Sequence, residues 1–283
     1  MSHITPMGVS EYLPIEAQKL DFQQSKLQDV FSRSGYLPIK TPTIEYSDSI
    51  EVGLGPVLRK QCIEFFDPSG KRLMLRPDHT TPIARTVAAR MQDSELPIKL
   101  SYIDPVFRKP DQQYATDTEI FQAGCELIGY QCVEEIFNLL EVCVESLNSL
   151  GITDLGIDIG HVDFISELTD VQKQALLEGD YLTYGGIPER GKLEIAGSNN
   201  DLKRLYSLIE SKKLDDIAFI NKGLVKGLYY YTGIIFEIYS KRLGKVIASG
   251  GQYDNLCKKF GFDCPAVGFA INLNCIHGEL NGK

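Results

Sequence analysis

The chain has 283 residues, 43% of them hydrophobic and 24% charged, with a formal net charge of −9. That balance excludes a disordered chain, and the acidic surplus has the wrong sign for a protein that neutralises a long run of nucleic-acid phosphates. No stretch approaches the roughly 18 apolar residues of a membrane span, and the opening "MSHITPMGVSEYLP" has no basic region followed by an apolar one, so a cytoplasmic protein with no membrane and no nucleic-acid partner is expected.

The seven cysteines form no C-x-x-C pair and the four histidines lie far apart, so neither a disulfide framework nor a metal site is expected. The thiols read as reduced and mostly buried. Along the chain, "IEAQKLDFQQSKLQDVFSRSG" places Leu20, Leu27, Val30 and Phe31 on one helical face, with Gly35 as the stop. Pro38 and Pro42 keep "GYLPIKTPTIEY" extended. "QCIEFFDPSGKRLMLRPD" reads as a hairpin turned by Asp67-Pro68-Ser69-Gly70. It feeds Arg76, Asp78 and Thr80 into the start of a helix, "TTPIARTVAARM", with Thr81 expected as N-cap and Pro82 as first helical residue.

"PIKLSYIDPVFR" and "TEIFQAGCELIG" are strands joined by a polar loop. "EEIFNLLEVCVESLNSLG" is a helix with Ile136, Leu140, Cys143, Leu147 and Leu150 on one side, and "DLGIDIG" follows as a strand. The stretch at about 164–213 is charged and helically spaced. Two strands then return, in "DDIAFINKGLVKGLYYYTGIIFEIYS" and "GKVIASGG". Strands and helices come in clusters rather than in β-α-β alternation, so the expected fold is α+β: a mainly antiparallel sheet flanked by helices, with a small helical insertion at about 164–213.

Neither common phosphate loop, GxxxxGK[ST] or a strand-linked GxGxxG, is present, and GxSxG is missing too. The pairs Gly185-Gly186 and Gly250-Gly251 need only mark turns. Any ligand must therefore be held by side chains of the sheet itself, and no cofactor is expected.

The order of "GYLPIKTPTIEY", "LRPDHTTPIAR", "YIDPVFRKP", "IFQAGCELIG", "GLVKGLYYYTGIIFE", "SGGQYDNL" and "PAVGFAINL" resembles the successive blocks of the catalytic core of histidyl-tRNA synthetase, a class II aminoacyl-tRNA synthetase, from about Pro6 to Leu273. The resemblance implies that Pro42 belongs to the motif 1 dimer interface and Arg108 to motif 2. The departures bear on chemistry. Motif 2 of the synthetases has a glutamate two residues after the arginine, where this chain has Pro110. Motif 3 ends in glycine-leucine-glutamate-arginine, where this chain reads Asn272-Leu273-Asn274-Cys275. In the histidine-recognition segment, Lys226 replaces an arginine and Tyr229 an aspartate, and lysine lacks the planar bidentate fork. Neutralising a triphosphate and organising magnesium need those charges. No anticodon-binding domain is expected.

The chain thus looks like the catalytically silent relatives of the synthetases, the regulatory subunits of ATP phosphoribosyltransferase. That likeness implies a non-catalytic role in the first step of histidine biosynthesis, with three partners: the short-form catalytic subunit, a second copy of this chain, and histidine. The alternative is a free-standing enzyme that adenylates an amino acid. Seven positions match those lining the amino-acid pocket of the family: Asp78, Thr80, Arg108, Gln122, Glu126, Tyr231 and Tyr253. Arg108 would meet a carboxylate, Asp78 or Glu126 an ammonium, and Glu126 or the tyrosine hydroxyls an imidazole. Each has a plainer reading: Arg108 as a structural ion pair, Asp78 as a charge near a helix N-terminus, the tyrosines as strand residues. His79 and His161 are given no role, and histidine could sit in the pocket or between subunits.

Overall fold

A computed structural model describes residues 5–110, 117–166, 168–224 and 230–280, of which 277–280 are described by backbone alone. Helix α1 (Pro14–Arg33) leads to β1 (Leu37–Pro38), β2 (Ile44–Tyr46), the short α2 (Ser47–Ile50) and α3 (Pro56–Lys60), the hairpin β3 (Glu64–Phe66) and β4 (Arg72–Leu75), and α4 (Thr80–Arg90). There follow β5 (Ile98–Phe107), β6 (Glu119–Ile128), α5 (Val133–Ser149), β7 (Leu155–His161), α6 (Asp163–Ser166), α7 (Asp170–Glu178), α8 (Tyr181–Tyr184), β8 (Arg190–Gly191) and α9 (Asn200–Ser211). The described chain closes with β9 (Ala218–Asn221), β10 (Ile234–Ser240), β11 (Lys245–Gln252), β12 (Ala266–Asn272) and α10 (Leu273–Leu280).

Nine strands form one sheet in the order β1-β5-β6-β12-β11-β10-β7-β9-β8, and β2-β4-β3 form a small second one. In the large sheet β1–β5 and β7–β9 are parallel and the remaining pairs antiparallel. This is the mainly antiparallel α+β architecture that clustered elements predict. No helix among the described residues is long and apolar enough to cross a membrane.

Strand alternation divides the sheet into two unlike faces. Ala123, Cys125 and Leu127 of β6 and Val267, Phe269 and Ile271 of β12 point to one side, where Leu27, Val30 and Phe31 of α1, the inner face of α5, and Leu202, Leu205, Tyr206 and Ile209 of α9 cover them. Each fully buried Leu, Ile or Phe there stabilises the fold by about 1.5–3 kcal/mol. The opposite face carries Gln122, Gly124 and Glu126 of β6 and Ala266, Gly268 and Ala270 of β12. There Ile83, Ala84 and Val87 of α4 pack with Ile98, Leu100 and Tyr102 of β5. One face is thus a filled core, and the other is built of small and polar residues that leave room.

The turn of the β3–β4 hairpin forms as its sequence dictates: Asp67 Oδ1 accepts from the Ser69 and Lys71 backbone N–H groups at 2.8 and 2.9 Å, and Gly70 takes φ +82°. Pro105 sits inside β5 without breaking a ladder bond. The Ser101 and Pro105 carbonyls and the Phe107 N–H all bond away from β6, to Ile39, Arg76 and the Arg76 carbonyl, so the proline nitrogen faces the β1 side of β5, beyond the two residues that β1 pairs with.

Three expectations need correction. Helix α4 starts at Thr80, and Thr81 is not its cap; Asp78 accepts from the Thr81 N–H at 3.2 Å and from its hydroxyl at 3.0 Å, because an ionised carboxylate is the stronger acceptor and its two oxygens reach both donors. The first returning stretch holds two strands, β9 and β10, since Asn221 Oδ1 accepts from the Gly223 N–H at 2.9 Å and turns the chain after β9. Gly250-Gly251 lie within β11, not in a turn; a Cβ on Gly250 would fall 2.4 Å from the Gly268 carbonyl oxygen and one on Gly251 2.8 Å from that of Ile234. Between 164 and 213, α7, α8 and α9 are helical, while α9 buries into the common core and β8 extends the large sheet by pairing with β9. Cys62, Cys125, Cys143, Cys257 and Cys264 are buried, whereas Cys132 is exposed.

Candidate amino-acid site

The hollow face of the sheet and the start of α4 enclose a cavity of about 100 Å³. Asp78 and His79 enter it from the turn before α4 and Thr80 from the first position of that helix, Tyr102 from β5 and Arg108 from just past its end, Gln122 from β6, Tyr230 and Tyr231 from the stretch before β10, and Ser249 and Tyr253 from β11 and its end. Small residues make the space. A Cβ on Gly124 would stand 2.5 Å from the Tyr102 hydroxyl, so that glycine admits the ring, and one on Gly268 would stand 1.6 Å from Glu126 Oε2.

Six of the seven positions taken from the family pattern line this cavity: Asp78, Thr80, Arg108, Gln122, Tyr231 and Tyr253. Glu126 does not line it. Its side chain is 0% exposed and lies beneath the wall, where Oε1 accepts from the Thr80 hydroxyl at 2.8 Å and Oε2 from the Tyr253 hydroxyl. Burial pushes its carboxyl up to about 8 against the pull of those two hydrogen bonds, and the charge of Asp78 adds to the rise. Gly268 is the partner that allows this. It faces Glu126 across the β12–β6 ladder, and only a residue without Cβ leaves the carboxylate its place.

Gly268→Ala is therefore expected to cost at least about 2 kcal/mol in urea unfolding, as overpacking against a fixed neighbour does. In a Glu126→Ser background, where the obstructing oxygens are gone, the same alanine should cost well under half as much. Equal costs in the two backgrounds would refute this reading.

Asp78 and Arg108 are the charged pair of the cavity. Asp78 is buried, and burial raises its carboxyl while the nearby Arg108 guanidinium and the Thr81 bonds pull it back. Burial lowers Arg108 and Asp78 opposes that shift. Among the described residues, the Arg108 side chain has one hydrogen-bond partner, the Pro77 carbonyl, to which Nε donates at 2.8 Å. That bond fixes the guanidinium plane over the turn that carries Asp78. Around them Tyr230 meets Tyr231 and Tyr253 edge to face, with centroids 5.1 and 5.9 Å apart.

His79, which the sequence reading left without a role, is a wall residue. Its ring stacks on Tyr102 at 4.2 Å and its Nε2–H donates to the Asp104 carbonyl at 3.0 Å. Burial, helped by the charge of Arg76, lowers it to about 3, so it stays neutral. Tyr102, Tyr230, Ser249 and Gly268 also escaped the sequence reading. A glycine inside the apolar run "AVGFAI" was the one signal available for Gly268, since such glycines mark close approach.

The departures from the synthetase motifs can be followed in the structure. After Arg108 the chain turns away, with the Lys109 N–H donating to the Gln61 carbonyl at 2.7 Å, and Pro110 follows. Asn274 accepts the Phe121 N–H at 2.9 Å and donates to the Glu119 carbonyl at 2.8 Å and to Asp117 at 3.1 Å. It clamps the start of β6 where the family motif has a glutamate. Lys226 and Tyr229 lie outside the described residues.

A long antiparallel sheet with one hollow face, closed by a helix that starts at an acid and an arginine strand, defines a class II aminoacyl-tRNA synthetase core. Residues 8–180 and 189–276 match the family model described as histidyl-tRNA synthetase. The fold is similar to that of apo histidyl-tRNA synthetase from S. aureus, with a TM-score of 0.74 at 22% identity over 100% of this chain and 71% of that one. The sequence is 36% identical to the ATP phosphoribosyltransferase regulatory subunit of Halothermothrix orenii, over 98% of this chain and 76% of the relative, and 32% identical to that of Syntrophotalea carbinolica, over 95% and 72%. A crystal structure of an ATP phosphoribosyltransferase regulatory subunit/histidyl-tRNA synthetase from Bacillus halodurans C superposes with a TM-score of 0.88 at 28% identity, over 100% of this chain and 84% of that one. The chain belongs to the ATP phosphoribosyltransferase regulatory subunit family, a branch of the histidyl-tRNA synthetase-like proteins.

Proposed function

We propose that this chain is the non-catalytic regulatory subunit of an ATP phosphoribosyltransferase, required for the activity of a short catalytic subunit in the first step of histidine biosynthesis and for its inhibition by histidine. The observation that carries the reading is the near full-length similarity to relatives of that name. It is supported by a cavity that keeps amino-acid chemistry while the positions expected to handle ATP hold Pro110, Asn274 and Cys275. In this reading Arg108 takes the histidine carboxylate and Asp78 the ammonium. Thr80, Gln122, Tyr231 and Tyr253 surround the ring, with Glu126 behind them.

The chain would act as one synthetase-like domain, with the helical segment at about 164–213 as an insertion, in the cytoplasm. It would be a homodimer within the hetero-oligomer. The exposed Leu37, Ile44, Tyr46 and Phe66, around the proline-marked stretch that holds Pro42, support an apolar interface there. Coupling between histidine and the catalytic partner would amount to about 1–3 kcal/mol.

The test is turnover of a short ATP phosphoribosyltransferase that is weak alone, measured with and without this chain and then with histidine. Stimulation that histidine reverses is expected. Unchanged turnover, or amino-acid-dependent exchange between pyrophosphate and ATP by this chain alone, would sink the proposal.

A further inference from the structure

Helices α7 and α8 carry apolar surface that no described part of the chain covers. Between Val171 and Ile187 stand four exposed large apolar side chains, Val171, Tyr181, Leu182 and Ile187, with Leu182 95% and Ile187 85% exposed. Against them α7 buries only Ala175 and Leu176, and α8 buries nothing. Single exposed hydrophobic residues are ordinary. A helix pair that shows more large apolar side chains than it hides marks a contact surface.

The two helices fold back on one another at Gly179, which takes φ +70°, and the Asp180 N–H closes the turn by donating to the Ala175 carbonyl at 2.8 Å. Between them runs a groove of about 370 Å³, lined by the apolar Val171 and Ala175 and by the carboxylates of Asp170, Glu178 and Asp180. Among the described residues none of these three acids makes an ion pair. Glu178 accepts from the Gln174 amide and Asp180 from the Thr183 N–H at 3.1 Å, neither of which cancels a charge.

The groove is held to the large sheet where the chain leaves it. The Glu189 carboxylate pairs with Lys222 at 2.6 Å, its carbonyl accepts from the Lys222 N–H at 3.0 Å, and Arg190 pairs with Asp158 of β7 at 2.7 Å. A surface fixed in this way loses little freedom when a partner covers it.

Charge selects the occupant. Nucleic acid is repelled by unpaired carboxylates. A second copy on a two-fold axis would set Asp170, Glu178 and Asp180 against the same three acids, and like charges brought together across an interface oppose it. What fits is a protein surface that offers an apolar side chain ringed by lysine or arginine.

We propose that the groove between α7 and α8 docks a different protein, one that seats an apolar anchor among basic side chains, and that this partner is the short catalytic subunit. The second half rests on the reading of this chain as a regulatory subunit. The apolar residues then set how long the complex lasts, and the acids set how fast it forms.

The experiment is surface plasmon resonance of the full chain against the short catalytic subunit, at about 0.05 and 0.5 M salt, with the wild type, Leu182→Asp and Glu178→Lys. Both positions are exposed, and a cation at the last residue of α7 suits the helix dipole, so urea unfolding and histidine titration of the variants should match the wild type. Leu182→Asp should raise Kd about tenfold or more, mainly through faster dissociation. Glu178→Lys should slow association by about threefold or more at low salt and have little effect at high salt. If the wild type binds and both variants follow it at both salts, the docking face is overturned while the regulatory role stands; if the wild type does not bind, both readings fall. If Leu182→Asp keeps wild-type affinity for the catalytic subunit but changes the sedimentation of the chain on its own, the groove joins copies of this chain and the proposal is overturned. If Leu182→Asp does not fold, Glu178→Lys decides alone, and an association rate equal to that of the wild type at low salt overturns the proposal.

Discussion

Glu126→Gln is expected to stabilise the protein by about 5 kcal/mol at pH 8.5 and above, and by only about 1 kcal/mol at pH 5. The carboxyl is raised from its unfolded value of about 4.3 to about 8 in the fold. Between those limits the native state binds more protons than the unfolded chain. Stability contributed by the protonated group is fully present below about pH 4.3 and is lost as pH rises through 8. Glutamine cannot ionise, so it escapes the loss, and its size and hydrogen-bonding capacity match the protonated acid between Thr80 and Tyr253. Urea unfolding of both proteins from pH 5 to 9 measures the difference directly. Parallel stability curves would mean that Glu126 is not the buried proton site inferred from its surroundings.

Arg108→Met is expected to act in the opposite sense, lowering stability by about 3 kcal/mol near neutral pH, because it leaves the buried Asp78 beside no cation. The Asp78 carboxyl would rise further, so the loss should grow with pH from about 4 upward as an unpaired charge is forced into the wall. Arg108→Lys separates charge from shape. It keeps a cation near Asp78 and should recover most of the stability, yet it gives up the Nε bond to Pro77 and the planar fork, so histidine affinity should still fall at least tenfold. Unfolding and histidine titration of the two variants check this. A lysine variant that binds as tightly as wild type would show that the guanidinium geometry is not what the ligand meets.

The elements read from periodicity were those whose burial follows their own pattern. Leu20, Leu27, Val30 and Phe31 were placed on one face of α1, and Ile136, Leu140, Cys143, Leu147 and Leu150 on one side of α5; all are buried. The errors fell where local chemistry competes. Thr81 looks like a cap until a neighbouring carboxylate outbids it. Gly250-Gly251 looks like a turn until two strands press against it from either side. β9 ends where an Asn221 turn overrides the apolar run that continues beyond it.

The candidate site shows the same division. Its residue types and order were readable in the chain, because blocks such as "LRPDHTTPIAR" and "IFQAGCELIG" keep their spacing along the strands that carry them. By itself the sequence determined the α+β class, the buried faces of α1 and α5 and, through its family pattern, the acid, arginine and hydroxyl set from which the cavity is built. Only the tertiary structure decided which of those groups meets the cavity and which lies behind it: Glu126 and Gly268 are 142 positions apart in the chain, and the void that one leaves for the other exists only once β6 and β12 are paired.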